Sequence, residues 1–286
     1  MKTECIIFDW AGTTVDYGCF APVKAFIEAF KKFGIEPTID EVRAPMGMLK
    51  HDHIETMMKG ERISKLWEEV HNRKWTEADV DAVYEESERG IMEILKNYAE
   101  PKPYVIETVA KIREMGIKIG STTGYTAEMM DIVAPKAEEL GYTPDIYFSP
   151  SDTENYGRPY PYMVFKNMEH LKVSSVKSVI KVGDTISDIK EGVNAGVTTV
   201  GIIEGSSLMA LSQEEFNALS SEEQNKLCYE VTKKFKNAGA DYVVRDIRGA
   251  ARVYRVRDDA GPLRIRVRDH VIVAVFRRTE RAVDLR

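Results

Sequence analysis

The chain has 286 residues, 43% hydrophobic and 30% charged, with a formal net charge of −6. That balance fits a soluble globular protein with one large domain or two smaller ones, and it speaks against a general nucleic-acid binder. No apolar run reaches the ~18–20 residues that span a bilayer, so no membrane partner is expected, and because a strand begins almost at once no secretory signal is expected either. Cys5, Cys19 and Cys228 are too sparse for a disulfide framework or a zinc site and suggest a reducing, cytoplasmic setting.

The first strand is the apolar run Cys5-Ile6-Ile7-Phe8, which delivers Asp9 to a turn containing Gly12-Thr13-Thr14. Pro22 to Phe33 reads as a helix with a stripe of Val23, Phe26, Ile27 and Phe30, ended by Gly34. Thr38-Ile39-Asp40-Glu41 is a capping box opening a second, short helix. After a break at Pro45 and Gly47, helical character resumes toward Met58. Thr76 to Tyr98 reads as one long helix with Gly90 as its weak point. Residues 20–100 therefore form an all-helical cap inserted after a single strand.

From Pro103 the pattern becomes alternating: helix 104–115, strand 118–121, helix 126–140, strand 145–148, helix 159–171, strand 178–182, helix 187–195 and strand 198–203. A polar helix over about 212–237 precedes a last strand at Tyr242–Val244. This alternation predicts an α/β fold, a doubly wound parallel sheet with a Rossmann-like core formed by 1–19 and 101–245. All 22 lysines lie at or before Lys236, whereas 12 of the 18 arginines lie at or after Arg245. Residues 246–286 are accordingly read as an atypical Arg-rich tail, fused or frameshifted, in which Val253, Ile265, Val267, Val271, Ile272, Val273 and Val275 form strands and Pro262 a turn.

Asp9, Thr123-Gly124, Arg158 and Asp184 with Asp188 fall at or near the carboxyl ends of strands of one sheet, where open α/β sheets bind ligands. A carboxylate such as Asp9 can attack phosphorus. Magnesium held by Asp9 and Asp184 would let it approach an anion, while Thr123 and Arg158 hold phosphoryl oxygens and Asp188 supports the metal site. The set resembles the haloacid dehalogenase superfamily over nearly all of residues 1–245. Most phosphatases of that superfamily carry an acid two residues after the nucleophile; this chain has Ala11, so an alkoxide leaving group would lack its proton.

The cap cluster Met46-Gly47-Met48-Leu49-Lys50-His51-Asp52-His53 offers a replacement. A desolvated, neutral Lys50 could form an imine with a carbonyl substrate, an electron sink that lets carbon leave phosphorus. His53, three residues on, is either a proton carrier or a packing residue. Taken with Asp9–Gly18 and Thr123-Gly124-Tyr125, these residues closely resemble the phosphonoacetaldehyde hydrolase family. The resemblance implies a nucleophile at Asp9, a Schiff-base lysine at Lys50 and a phosphoryl contact at Arg158. It also implies magnesium on Asp9, Asp184 and the Ala11 carbonyl, and a homodimer paired through the caps. Cys19 and Met46 are expected to line the pocket and Tyr125 to lie in it or start a helix; Trp67 and Trp75 are expected in cap packing or a dimer interface. The competing readings are a phosphomonoesterase or phosphomutase of the same fold and a non-catalytic binder.

Overall fold

β1 (Cys5–Phe8) is buried along its whole length, as a continuous apolar strand covered on both faces must be. The computed structural model describes residues 2–46, 48–258 and 274–275. In it, β1 pairs in parallel with β2 (Lys118–Thr122) on one side and β4 (Val179–Gly183) on the other. β3 (Ile146–Phe148) lies beyond β2, and β5 (Thr198–Ile202) and β6 (Tyr242–Val244) lie beyond β4. The order is β3-β2-β1-β4-β5-β6, all parallel, with β7 (Ala274–Val275) antiparallel on the edge. The direction of winding reverses between β1 and β4, so their carboxyl ends border the crevice in which such sheets bind ligands.

Five α-helices lie between β1 and Pro101: α1 (Phe20–Lys32), α2 (Ile39–Arg43), α3 (Lys50–Met58), α4 (Glu61–His71) and α5 (Glu77–Ile94). The capping box expected at Thr38/Glu41 is formed, and a second one starts α5 at Thr76/Asp79. The long helix ends differently from expectation, tightening into a 3₁₀ turn over Leu95–Tyr98 just before Pro101, as helix ends commonly do. Gly90 does not interrupt α5. α4 was not anticipated, although Ile63, Leu66, Trp67 and Val70 carry its i, i+3, i+4, i+7 signature; it buries Ile63 and Trp67. Phe26, Phe30, Ile54, Met58, Trp67 and Val83 pack as a core of their own. The floor of this helical layer, Ala21, Ala25, Ile91, Leu95 and Ala99, joins the cluster built on Ile6 and Phe8 of β1. The chain passes between the two layers at adjacent points, since Val15 and Pro101 form an antiparallel bridge.

Successive residues of β1 face opposite sides of the sheet. Ile6 and Phe8 pack with Val105, Val109 and Ile112 of α6 (Val105–Glu114) and with Met130 and Val133 of α7 (Ala127–Glu139). Cys5 and Ile7 pack with Val164 of α8 (Tyr162–His170) and Ala195 of α9 (Ile186–Ala195). The sheet is therefore covered on both faces, as a doubly wound fold requires.

Two expectations near the carboxyl end are corrected. The polar segment 212–237 is two helices, α10 (Gln213–Ala218) and α11 (Ser221–Ala238), because it contains two capping boxes, Ser212/Glu215 and Ser220/Glu223, each starting a new helix. Val253 is not in a strand: residues 247–258 form α12 (Ile247–Asp258). Ile247, Ala250 and Val253 recur every three residues and are buried in the main core, a helical spacing that outweighs local Arg/Val alternation. The first part of the Arg-rich segment thus packs on the sheet. Val275 does pair as a strand, while Pro262, Ile265, Val267, Val271, Ile272 and Val273 lie outside the described residues.

Candidate active site

Asp9 is fixed by its backbone, whose N–H donates to the Val182 carbonyl of β4 (2.9 Å) and whose carbonyl accepts from Thr14 Oγ1 (2.9 Å). The turn that follows folds tightly onto Trp10, whose carbonyl accepts from the N–H groups of Thr13, Thr14 and Val15. Gly12 stands at φ +84° there, and a Cβ at this position would lie 2.2 Å from Asp184 Oδ2; only glycine admits that approach. Lys102, buried below the turn, donates to the Gly12 and Glu204 carbonyls.

Asp184 follows β4 and is fully buried. Thr13 Oγ1 donates to its Oδ1 (3.2 Å) and the Ser207 N–H to its Oδ2 (2.7 Å). Burial and the facing charges of Asp9 and Asp188 push its carboxyl well above the usual carboxylate range. Asp188 is the N3 partner of the Thr185 capping box at the start of α9. Its Oδ2 accepts from Thr185, and its Oδ1 meets Lys181 Nζ (2.7 Å) and Arg158 Nη1 (3.1 Å). These two cations hold the Asp188 carboxyl down against the cost of burial.

Arg158 is the hub. Its Nη2 donates to Asp9 Oδ1 (2.7 Å), the Thr122 carbonyl (2.8 Å) and Thr122 Oγ1 (2.9 Å), and its Nε donates to Glu191 Oε2 (3.1 Å). Surrounded by Asp188, Asp9 and Glu191, it is held firmly protonated despite complete burial. Thr122, Lys181 and Glu191 were not singled out from sequence. A signal existed for Lys181: a lysine inside the apolar run Val-Ile-Lys-Val of a central strand must find a buried partner. Thr13, Ser207 and Lys102 gave no comparable local signal.

Above this wall, a small cleft brings together Asp9, Ala11, Cys19, Met46, Lys50, Thr123, Gly124, Tyr125 and Arg158, joined by Pro22 and Thr185. Thr123 Oγ1 accepts from the Tyr125 N–H (3.0 Å), which leaves its own hydroxyl proton to offer a ligand. Lys50 opens α3, is 4% exposed, and lies 5.3 Å from the Tyr125 ring and 5.6 Å from the Phe26 ring. Burial pushes its ammonium down from the ordinary lysine value, and Arg158 adds to that. His53 is fully buried and does not line the cavity; its ring sits 4.2 Å from Phe26, and neither nitrogen has a hydrogen-bond partner. Burial and the Lys50 charge push its imidazole well below 6.5, so it is neutral. Cys19 precedes α1 at φ 53°, and burial beside Asp16 and Asp184 pushes its thiol well up, which suits a lining residue rather than a nucleophile. Trp67 packs inside the helical layer against Phe33 and His71, and Trp75 borders it.

Asp9, Asp184 and Asp188 each place an oxygen within 4.8 Å of the others. Among the described residues, the cations in direct contact with the cluster of Asp9, Asp184, Asp188 and Glu191 are Arg158 and Lys181. Four carboxylates against two cations leave a deficit of positive charge, and the donors are all hard oxygens. The residues therefore fit a divalent cation of the magnesium type. Asp188 is already neutralised by Arg158 and Lys181, whereas Asp184 accepts only from the neutral donors Thr13 and Ser207 and Asp9 meets Arg158 through Oδ1, so Asp9 and Asp184 are the freer ligands.

Residues 3–196 match the profile of haloacid dehalogenase-like hydrolases. A phosphonoacetaldehyde hydrolase of Lysinibacillus sphaericus is 50% identical over 248 residues, which is 87% of this chain and 92% of that one. The chain belongs to the phosphonoacetaldehyde hydrolase family. It is a hydrolase of the haloacid dehalogenase superfamily, as the motifs around Asp9 and Asp184 led one to expect. A bifunctional phosphonoacetaldehyde hydrolase/aminoethylphosphonate transaminase of Clostridioides difficile is 52% identical over 243 residues, 85% of this chain, which spans 38% of that longer protein. The crystal structure of a phosphonoacetaldehyde hydrolase-like protein from Oleispira antarctica superimposes with a TM-score of 0.87 at 36% identity, covering 91% of this chain and 94% of that one. Among the described residues of this family member, no helix is long and apolar enough to cross a membrane.

Proposed function

We propose that the chain hydrolyses the C–P bond of phosphonoacetaldehyde to acetaldehyde and phosphate, in the breakdown of 2-aminoethylphosphonate. The observation that carries this reading is the meeting of Lys50 from the helical insert and Asp9 from the sheet in one small cavity. The name of the L. sphaericus relative and the transaminase half of the C. difficile relative support the substrate and its origin. Residues 20–100 act as a cap over a catalytic core, and the working form is a cytoplasmic homodimer paired through its caps.

Lys50, whose ammonium burial pushes down from the ordinary lysine value, adds in its neutral form to the aldehyde, takes up a proton and expels water to form a protonated imine. Asp9 attacks phosphorus, and the C–P electron pair moves onto carbon to give an enamine and an aspartyl-phosphate. Ala11 stands where an ester hydrolase needs its acid, and this leaving group needs none, because the iminium takes the electrons. The enamine is protonated on carbon and water releases acetaldehyde from Lys50; a second water releases phosphate from Asp9. One water is lost and two are consumed, which balances the hydrolysis. Asp9, Asp184 and the Ala11 carbonyl would hold a magnesium ion, with Asp188 supporting the site, and the ion would supply the charge that lets one anion approach another. Arg158 and the Thr123 hydroxyl hold phosphoryl oxygens beside the Gly124 peptide, and Tyr125, Met46 and Cys19 shape the space around the two-carbon unit. His53, neutral and one helical turn from Lys50, packs on the Phe26 ring behind the lysine, and the protons of the imine and enamine steps exchange with water.

Treatment with phosphonoacetaldehyde and borohydride should leave a reduced two-carbon adduct on Lys50, located by mass spectrometry. A folded protein that gives no adduct, or gives it on another lysine, overturns the imine mechanism.

A further inference from the structure

One side chain that ties the helical layer to the sheet layer is Arg43, the last residue of α2. It is 6% exposed. Its Nη1 donates both to the Gly18 carbonyl (2.9 Å) and to the Ser207 carbonyl (2.7 Å). Its guanidinium carbon lies 5.1 Å from the centre of the Phe20 ring. Gly18 belongs to the strap that leaves the sheet, at φ +88°, and its N–H donates to the Gly205 carbonyl (2.8 Å). Ser207 belongs to the loop after β5, and its N–H donates to Asp184 Oδ2 (2.7 Å). One nitrogen of Arg43 therefore grips the strap and, through a single residue, the carboxylate opposite Asp9.

The arrangement is a poor one for stability alone. Nε and Nη2 of Arg43 are buried without a hydrogen-bond partner, and buried unmet donors of a cation are costly. Met or Leu would fill the same space without that cost. What an apolar residue lacks is the donor that fixes the Ser207 peptide plane. A peptide plane held at its carbonyl keeps its neighbours' amides aimed, and the Ser207 amide is one of the two protein donors that set the rotamer of Asp184, the other being Thr13.

We propose that Arg43 is a positioning residue that couples the seating of the helical layer to the orientation of Asp184, and so to divalent-cation binding at the site. The inference rests on the reading of Asp9 and Asp184 as the cation's ligands. It extends that reading to a residue of the helical layer that touches neither substrate nor ion. With the layer seated, the Ser207 amide is locked onto Asp184; with it displaced, Asp184 loses the lock and the cation is held less tightly. Supports of this kind outside the ligand set change metal affinity or activity by ~10–100-fold.

The test titrates magnesium chloride alone, with no substrate, into the full chain and into Arg43→Met and Arg43→Lys, followed by calorimetry. Arg43→Met keeps the packing stem and removes every donor; its magnesium affinity should fall by ~10-fold or more. Arg43→Lys retains a donor and should recover part of that loss. Thermal unfolding of each variant is recorded alongside. If both variants fold and bind magnesium as tightly as the parent chain, the coupling is refuted and Arg43 is packing only. If Arg43→Met fails to fold, the Arg43→Lys titration decides: unchanged affinity refutes the proposal and weakened affinity supports it. The borohydride adduct on the parent chain reports separately on the C–P reading, so a missing adduct with altered magnesium binding sinks the mechanism and leaves the coupling standing.

Discussion

On the sheet side of the cavity the charged side chains around Arg158 are tied to one another. Arg158 spans Asp9, Asp188 and Glu191, and Lys181 bridges Asp188 and Glu191, while Asp184 is held by Thr13 and the Ser207 N–H. Around Lys50 the polar atoms are left bare: Lys50 faces the rings of Phe26 and Tyr125, and neither His53 of the helical layer nor the Tyr125 hydroxyl has a hydrogen-bond partner. Both walls are buried, yet burial serves opposite ends. Asp9 is held by fixed partners, and a dense ion network resists reorientation, as the proposed attack on phosphorus would require. Lys50 makes no ion pair among the described residues, and a paired carboxylate would favour its charged form, against the proposed imine chemistry. The difference teaches that the two proposed chemistries are separated by environment.

Substitutions can break either wall. Asp9→Asn should lower turnover by at least ~10⁴-fold, as loss of a nucleophile does, while borohydride still traps the imine on Lys50. That outcome, read by an acetaldehyde-coupled assay and mass spectrometry, would separate the walls. Loss of the adduct as well would show that they are not independent. Lys50→Arg should lower turnover by ~10³-fold or more and abolish the adduct, since a guanidinium cannot shed its proton. Arg158→Met strips Asp9, Asp188 and Glu191 of their shared cation and should cost ~3–5 kcal/mol of stability in urea unfolding. A loss below 1 kcal/mol would mean the sheet-side network is not a network.

The smallest effect concerns the hinge. The Asp16 carboxylate accepts the N–H groups of Phe20 (3.0 Å) and Ala21 (3.1 Å) at the start of α1. Burial pushes its carboxyl from 3.8 to about 6. The folded chain thus binds this proton more tightly than the unfolded one, so the group's contribution is fully present below pH ~4 and is lost as pH rises to ~6. Relative to Asp16→Asn, the parent chain should lose on the order of 3 kcal/mol across that window and nothing above it. Equal slopes for the two proteins would exclude the shift.

The sheet-side carboxylates were legible because each sits where a strand becomes a turn, and the sequence marks such places with Gly, Thr and Asp. Gly183-Asp184-Thr185 and Thr123-Gly124 are read off directly. The cap lysine was legible only through its likeness to a family motif; nothing local distinguishes Lys50 from Lys59 until burial is known. Glu191 and Arg43 were illegible for a different reason. Their partners lie 33 and 164 residues away, so no window of sequence contains both ends of the contact. α12 was misread because alternating Arg and Val suggested an amphipathic hairpin, whereas contact with the sheet selected the helical spacing of Ile247, Ala250 and Val253.

The bridge between Val15 and Pro101 means that the chain exits and re-enters the sheet layer through one doorway. Bridged residues stand only ~5 Å apart, a gap that one or two residues can close. The intervening helices are therefore a cassette: they can be exchanged for another insert without altering strand order, provided the newcomer supplies a floor to match Ala21, Ala25, Ile91, Leu95 and Ala99. A scaffold with such a doorway can change what covers its cavity by swapping a roof while the carboxylate wall of the sheet is inherited intact.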